Sequence, residues 1–104
     1  PEDVLSMDEM LDNIMLYWLP GTGASSARLY WESFGAFGGS VPLSLPVGVS
    51  IYPKEIFRAS RRWAEKHMTN IIHWNELAQG GHFAAWEQPA VYVNEIRTCF
   101  AKIR

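Results

Sequence analysis

Pro46-Val47-Gly48-Val49-Ser50-Ile51-Tyr52-Pro53 is the stretch whose reading decides the fold class. It is short, rich in β-branched residues and bounded by prolines. Pro46 also restricts the residue before it to β or polyproline geometry. Residues 47–52 are therefore expected to form a strand, with residues 41–46 extended ahead of it. Downstream, a helix is expected over about 57–68, with Arg58, Arg61, Arg62, Glu65 and Lys66 on its solvated side. Asn70-Ile71-Ile72-His73-Trp74 reads as a second short strand, followed by a polar loop through Gly80-Gly81. A last helix starts near Pro89, a residue favoured at the first helical position. Its apolar stripe is Val93, Ile96, Phe100 and Ile103, and Lys102 and Arg104 suit the C-terminal end of the helix dipole. Strand, helix, strand, loop, helix is the alternation of a parallel α/β sheet. Two strands do not make a stable parallel sheet alone, so this region reads as the end of a larger fold.

Upstream of residue 40 the pattern is helical. Ser6 and Glu9 have capping-box spacing, and Met7, Met10, Leu11, Ile14, Met15 and Trp18 follow on one helical face. Pro20-Gly21-Thr22-Gly23 stops that helix, and a second is expected over about 25–34, ending in the glycines at 35, 38 and 39. These two helices lie outside the α/β alternation, as an inserted cap would. The expected division is residues 1–40 and 41–104.

Composition narrows the class. The 104 residues suffice for one small domain, which would bury only about two-thirds of its unfolded surface. Nine Lys and Arg face eleven Asp and Glu, and the net charge of −2 argues against nucleic acid as a partner. With 48% hydrophobic residues and five Trp, this is a folded chain. The single Cys99 excludes an internal disulfide framework and fits a reducing compartment such as the cytoplasm. No apolar run approaches the roughly 20 residues that span a bilayer. The chain opens at Pro1 rather than Met, so its first residues set no expectation about targeting.

The segment most informative about chemistry is Gly80-Gly81-His82-Phe83-Ala84-Ala85-Trp86-Glu87-Gln88-Pro89. A His behind two glycines in a loop after a strand can project its imidazole away from packed structure. Glu55 follows the other strand, and in a parallel sheet both loops emerge at the carboxyl edge, where α/β active sites sit. A carboxylate there would hold one ring nitrogen of His82 and leave the other as a general base. On residue type alone, a surface loop position is an equal alternative for His82, and for Glu55 taken without the His, capping the next helix is the preferred one. Trp31, Phe34, Phe83 and Trp86 suit either an apolar pocket or core packing. His73 reads as a packed or edge residue and His67 as a helix-end cation. The three His show no metal-ligand spacing with Cys99 or a carboxylate pair, so no metal is expected. Gly21 to Ser25 lacks the Lys of a phosphate loop and reads as a capping turn.

Four segments together resemble the C-terminal part of an α/β-hydrolase-fold epoxide hydrolase of the microsomal and juvenile-hormone type. They are DNIMLYW (12–18), GTGASSARLYWE (21–32), PVGVSIYPKE (46–55) and GGHFAAWEQP (80–89), in order and with the family's spacing. The resemblance runs from about residue 8 to the end. It implies the last two parallel strands of an α/β-hydrolase core, preceded by the end of a helical cap. It also implies His82 as the base, Glu55 as the charge-relay acid, and Tyr30 as one of two cap tyrosines that donate to the epoxide oxygen. The partners implied are a small apolar epoxide, water, and an N-terminal part carrying the Asp nucleophile, compatible with a homodimer of the complete enzyme. No cofactor is implied, and the product would be a vicinal diol, in detoxification or catabolism. Asp3, Asp8 and Asp12 cannot replace the nucleophile, because none lies on a strand-to-helix elbow. The chain alone is thus expected to be inactive. The alternatives are an esterase or haloalkane dehalogenase of the same fold, or an inactive fragment that binds another chain.

Overall fold

Ser6 starts the first helix by a reciprocal exchange. Its Oγ accepts from the Glu9 N–H at 3.3 Å, and Glu9 Oε2 accepts from the Ser6 N–H at 2.8 Å. In the computed structural model, which describes residues 2–35 and 42–104, this helix is α1 (Met7–Trp18). Gly21, at φ +65°, takes the left-handed conformation that turns the chain, and the Thr22 N–H closes on the Tyr17 carbonyl at 3.0 Å. Helix α2 (Gly23–Ser33) follows, two residues earlier than the sequence suggested. Neither helix has a buried residue. The described residues fall into two compact units, 1–39 and 40–104, and these helices make up the first.

The second unit is a two-stranded parallel sheet, β1 (Val47–Ile51) against β2 (Ile71–Glu76). The register runs from Val47 opposite Ile71 to Ile51 opposite Glu76, with an irregularity between Val47 and Gly48. Isolated parallel bridges extend the pairing at both ends, Leu43 with Met68 and Lys54 with Gly81. The α/β class and the parallel pairing agree with the sequence reading. The strand limits shift slightly, since β2 continues two residues beyond Trp74. Val41, expected to be extended, lies outside the described residues.

Three helical expectations need correction. The crossover helix is the single turn α3 (Arg61–Ala64), not 57–68, because Ser60 stands at the N-cap in extended geometry and starts it late. Arg58 therefore lies outside the helix and pairs with Glu76 at 3.5 Å. A short helix α4 (Ala84–Glu87) precedes α5 (Pro89–Phe100), and a 3₁₀ turn (Ala101–Ile103) follows it. On α5 the predicted stripe is not the packed face: Val93, Ile96, Phe100 and Ile103 are all exposed, while Glu95 is buried and Val91 and Cys99 are half-buried. The packed face lies against β1, where a Cβ on Gly48 would stand 2.3 Å from Cys99 Sγ. Among the described residues the buried apolar ones are Ile51, Tyr52 and Ala84, so this small sheet and its helices leave most of their large side chains in solvent.

Candidate active site

Because β1 and β2 run in the same direction, their carboxyl ends open on one edge. The chain leaves β1 through a turn in which the Glu55 N–H donates to the Tyr52 carbonyl at 3.2 Å. It leaves β2 through residues 77–81, where the Lys54 N–H meets the Gly80 carbonyl at 3.1 Å. Lys54 and Gly81 are thus paired, and the residues after them, Glu55 and His82, emerge side by side.

Both glycines are required by contact. Gly80 has φ +100°, and a Cβ on it would stand 2.7 Å from the Tyr52 ring. A Cβ on Gly81 would stand 3.0 and 3.1 Å from the two Glu87 carboxylate oxygens. With this loop pressed onto the β1 turn, His82 Nδ1 lies 2.6 Å from Glu55 Oε1. The same oxygen accepts the Ile56 N–H at 2.7 Å. Those two bonds, that of His82 foremost, hold the Glu55 carboxyl below its ordinary value. An ionised carboxylate brings no proton to the contact, so the hydrogen sits on Nδ1 and leaves Nε2 with its lone pair. The imidazole is half in solvent. It faces an open depression of about 400 Å³ lined by Glu55, His82, Phe83, Ala85, Trp86 and Tyr92, among others. Phe83 meets the imidazole edge-on at 5.1 Å and Trp86 meets Phe83 at 6.5 Å.

Of the residues singled out in the sequence, Glu55, His82, Phe83 and Trp86 are brought together here. Tyr30, Trp31 and Phe34 belong to the first unit, Tyr30 and Trp31 on α2 and Phe34 at its C-cap, all exposed. Among the described residues, no three His, Cys, Asp or Glu gather as a metal site would require.

Sequence reasoning missed a second histidine–glutamate pair. His73 Nε2 lies 2.8 Å from Glu95 Oε2, which also accepts from Ser50 Oγ at 2.8 Å, while Asn75 Nδ2 donates to Glu95 Oε1 at 2.9 Å. Lys102 Nζ lies 3.3 Å from His73 Nδ1 and donates to the Ile72 carbonyl at 3.0 Å. Lys102 thus serves β2 as well as carrying charge near the helix end. Burial pushes the Glu95 carboxyl up, but hydrogen bonds from His73, Ser50 and Asn75 outweigh it and hold the group below its ordinary value. The available signal was spacing: Val91, Glu95 and Cys99 recur every fourth residue on one face of α5.

No protein-family model matches the chain. A protein of Stigmatella aurantiaca (strain DW4/3-1) named "Putative epoxide hydrolase" is 58% identical over 104 residues, all of this chain and 24% of that protein. "Epoxide hydrolase 1" of Sus scrofa is 35% identical over 101 residues, 92% of this chain and 22% of that protein. "Juvenile hormone epoxide hydrolase 1" of Ctenocephalides felis is 31% identical over 105 residues, 95% of this chain and 22% of that protein. The chain therefore spans less than a quarter of the length of these relatives.

Proposed function

Because the chain is homologous along its length to a segment of the epoxide hydrolases, we propose that it is the C-terminal part of such an enzyme. In this reading it carries the machinery for the second half of the reaction. Residues 41–104 are the end of an α/β-hydrolase core and 1–40 the end of its helical cap. The observation that carries the proposal is the Glu55–His82 contact at 2.6 Å, at the carboxyl edge of two parallel strands. Exposed apolar side chains on both units support a piece that the rest of a larger protein covers.

The chemistry runs in two steps. An Asp carboxylate from the N-terminal part attacks an epoxide carbon. The carbon–oxygen bond breaks, and the alkoxide takes a proton from a phenol, Tyr30 being the donor on this chain. The result is a hydroxyalkyl ester on the Asp. Water then attacks the ester carbonyl while His82 Nε2 takes its proton, and the imidazolium so formed is stabilised by Glu55. The tetrahedral intermediate then breaks its bond to the diol oxygen, which takes the proton from His82; the Asp acid formed returns its proton to the Tyr30 phenolate, and the product is a vicinal diol. Phe83 and Trp86 supply an apolar wall beside the base, which suits a small apolar epoxide. The chain alone lacks the nucleophile and turns over no epoxide.

The test uses the full-length protein that carries this segment, with His82→Gln. Mixed with styrene oxide and quenched in acid, the variant should gain the mass of one epoxide and release diol about 10²- to 10⁴-fold more slowly than wild type. Rapid diol turnover by the variant would sink the assignment of the base.

A further inference from the structure

Resting on the reading of His82 as the base, we propose that Glu87 is a positioning residue for it, bonding the backbone after the histidine and filling the space beside the glycine before it. Glu87 Oε1 accepts the Phe83 N–H at 3.1 Å, on the C-terminal side of His82. On the N-terminal side, the carboxylate oxygens stand 3.0 and 3.1 Å from where a Gly81 Cβ would lie, beside the Lys54 carbonyl oxygen at 3.1 Å. One carboxylate therefore bonds the residue after His82 and fills the space beside the residue before it.

His82 needs such a brace because its side chain is held at one end only. The Glu55 contact fixes Nδ1. A single hydrogen bond to a half-exposed ring leaves the ring free to swing about that contact, and Nε2 with it. Holding the peptide unit after the Cα, with the carboxylate packed beside Gly81, restricts that freedom. Glu87 stands in the next helical turn, and α4 ties it to the same loop through the Glu87 N–H, which donates to the Phe83 carbonyl at 2.8 Å. The bond from Phe83 N–H to the Glu87 side chain closes this loop on itself. A displacement of about 1 Å in a reacting group costs up to about 10²-fold in rate, so a brace of this kind acts on the step that uses His82 and on no other.

The residue is separable from its neighbours by isostere. Glu87→Gln keeps an acceptor oxygen for the Phe83 N–H, whereas Glu87→Ala removes it.

The test is single-turnover kinetics on the full-length protein with styrene oxide, following formation of the covalent ester and its hydrolysis separately. Glu87→Ala should slow ester hydrolysis about 10- to 100-fold and leave ester formation unchanged. Glu87→Gln should recover most of the loss. Glu87→Asp, whose carboxylate is one methylene short of the Phe83 N–H, should show an intermediate loss. Hydrolysis at the wild-type rate in Glu87→Ala, equal slowing of both steps, or no recovery in Glu87→Gln would overturn the proposal. If Glu87→Ala does not fold, as judged by near-ultraviolet circular dichroism, Glu87→Asp decides in the same terms. His82→Gln run alongside separates the two levels. Normal ester hydrolysis there overturns the base itself, whereas a block there with normal Glu87→Ala overturns only the brace.

Discussion

Two histidine–glutamate pairs stand on one pair of parallel strands, and their surroundings differ in almost every respect. At the carboxyl edge, the His82 and Glu55 side chains are 53% and 30% exposed and 2.6 Å apart. Under α5, those of His73 and Glu95 are each 8% exposed and 2.8 Å apart. The difference that matters is how many ring nitrogens are used. Among the described residues, His82 has one hydrogen-bond partner, on Nδ1, while His73 has Glu95 on Nε2 and Lys102 against Nδ1. The carboxylates differ in the same way. Both Glu95 oxygens are bonded to side chains of the sheet, whereas the bonds to Glu55 all fall on Oε1. A saturated pair joins a helix to a sheet; an unsaturated one is available for proton transfer. The same two residue types thus take different work from the number of contacts the fold allows them.

The largest effect that would test this contrast is on stability. Glu95→Ala should destabilise the full-length protein by about 3–5 kcal/mol, because it strands His73, Ser50 and Asn75 in the interior. In calorimetry this corresponds to a Tm lower by roughly 3–5 °C, with the rate of ester hydrolysis in the folded molecules little changed. A large rate loss without a fall in Tm would mean that the buried pair works in the chemistry.

Next comes the mirror experiment. Glu55→Gln should slow ester hydrolysis about 10-fold or more, short of the about 10²- to 10⁴-fold loss for removing the base, and hardly move Tm. Stopped-flow measurement of diol release alongside calorimetry checks both halves.

The smallest effect is on pH dependence. Glu55 and Glu95 are both held below the ordinary carboxylate value of 4.5 in the folded state. A group with a depressed folded value contributes stability that is present above its unfolded value and lost as pH falls through the folded one. Neither pair should therefore cost much stability between pH 7 and pH 5 through its carboxylate, and the losses should set in below about pH 5 and deepen as pH falls through the folded values. Urea unfolding across that range reads it directly.

The open pair was far more legible in the sequence than the closed one. Proline brackets and β-branched residues mark β1, and two glycines after an apolar run mark the loop that presents His82. All of these are local signals. The edge at which Glu55 and His82 meet follows from parallel pairing alone. Glu95 carried no such signal. Periodicity assigns charged residues to the solvent face and Val93, Ile96, Phe100 and Ile103 to the interior, yet the packed face runs through Val91, Glu95 and Cys99. A buried carboxylate is tolerable only where donors converge from other elements, and Ser50, His73 and Asn75 come from two strands. That convergence is tertiary and leaves no mark on one helix. The crossover helix failed for a smaller reason: apolar and basic residues suggested a long element, while Ser60 caps a single turn.

The most direct test of the account is ¹⁵N NMR of histidine-labelled full-length protein, at a pH where the imidazoles are neutral. The account predicts opposite tautomers. His82 should carry its proton on Nδ1, hydrogen-bonded to Glu55, with Nε2 bare. His73 should carry its proton on Nε2, bonded to Glu95, with Nδ1 as an acceptor. Finding the proton of His82 on Nε2 would contradict it, because a base whose outward nitrogen is already protonated cannot take a proton from water.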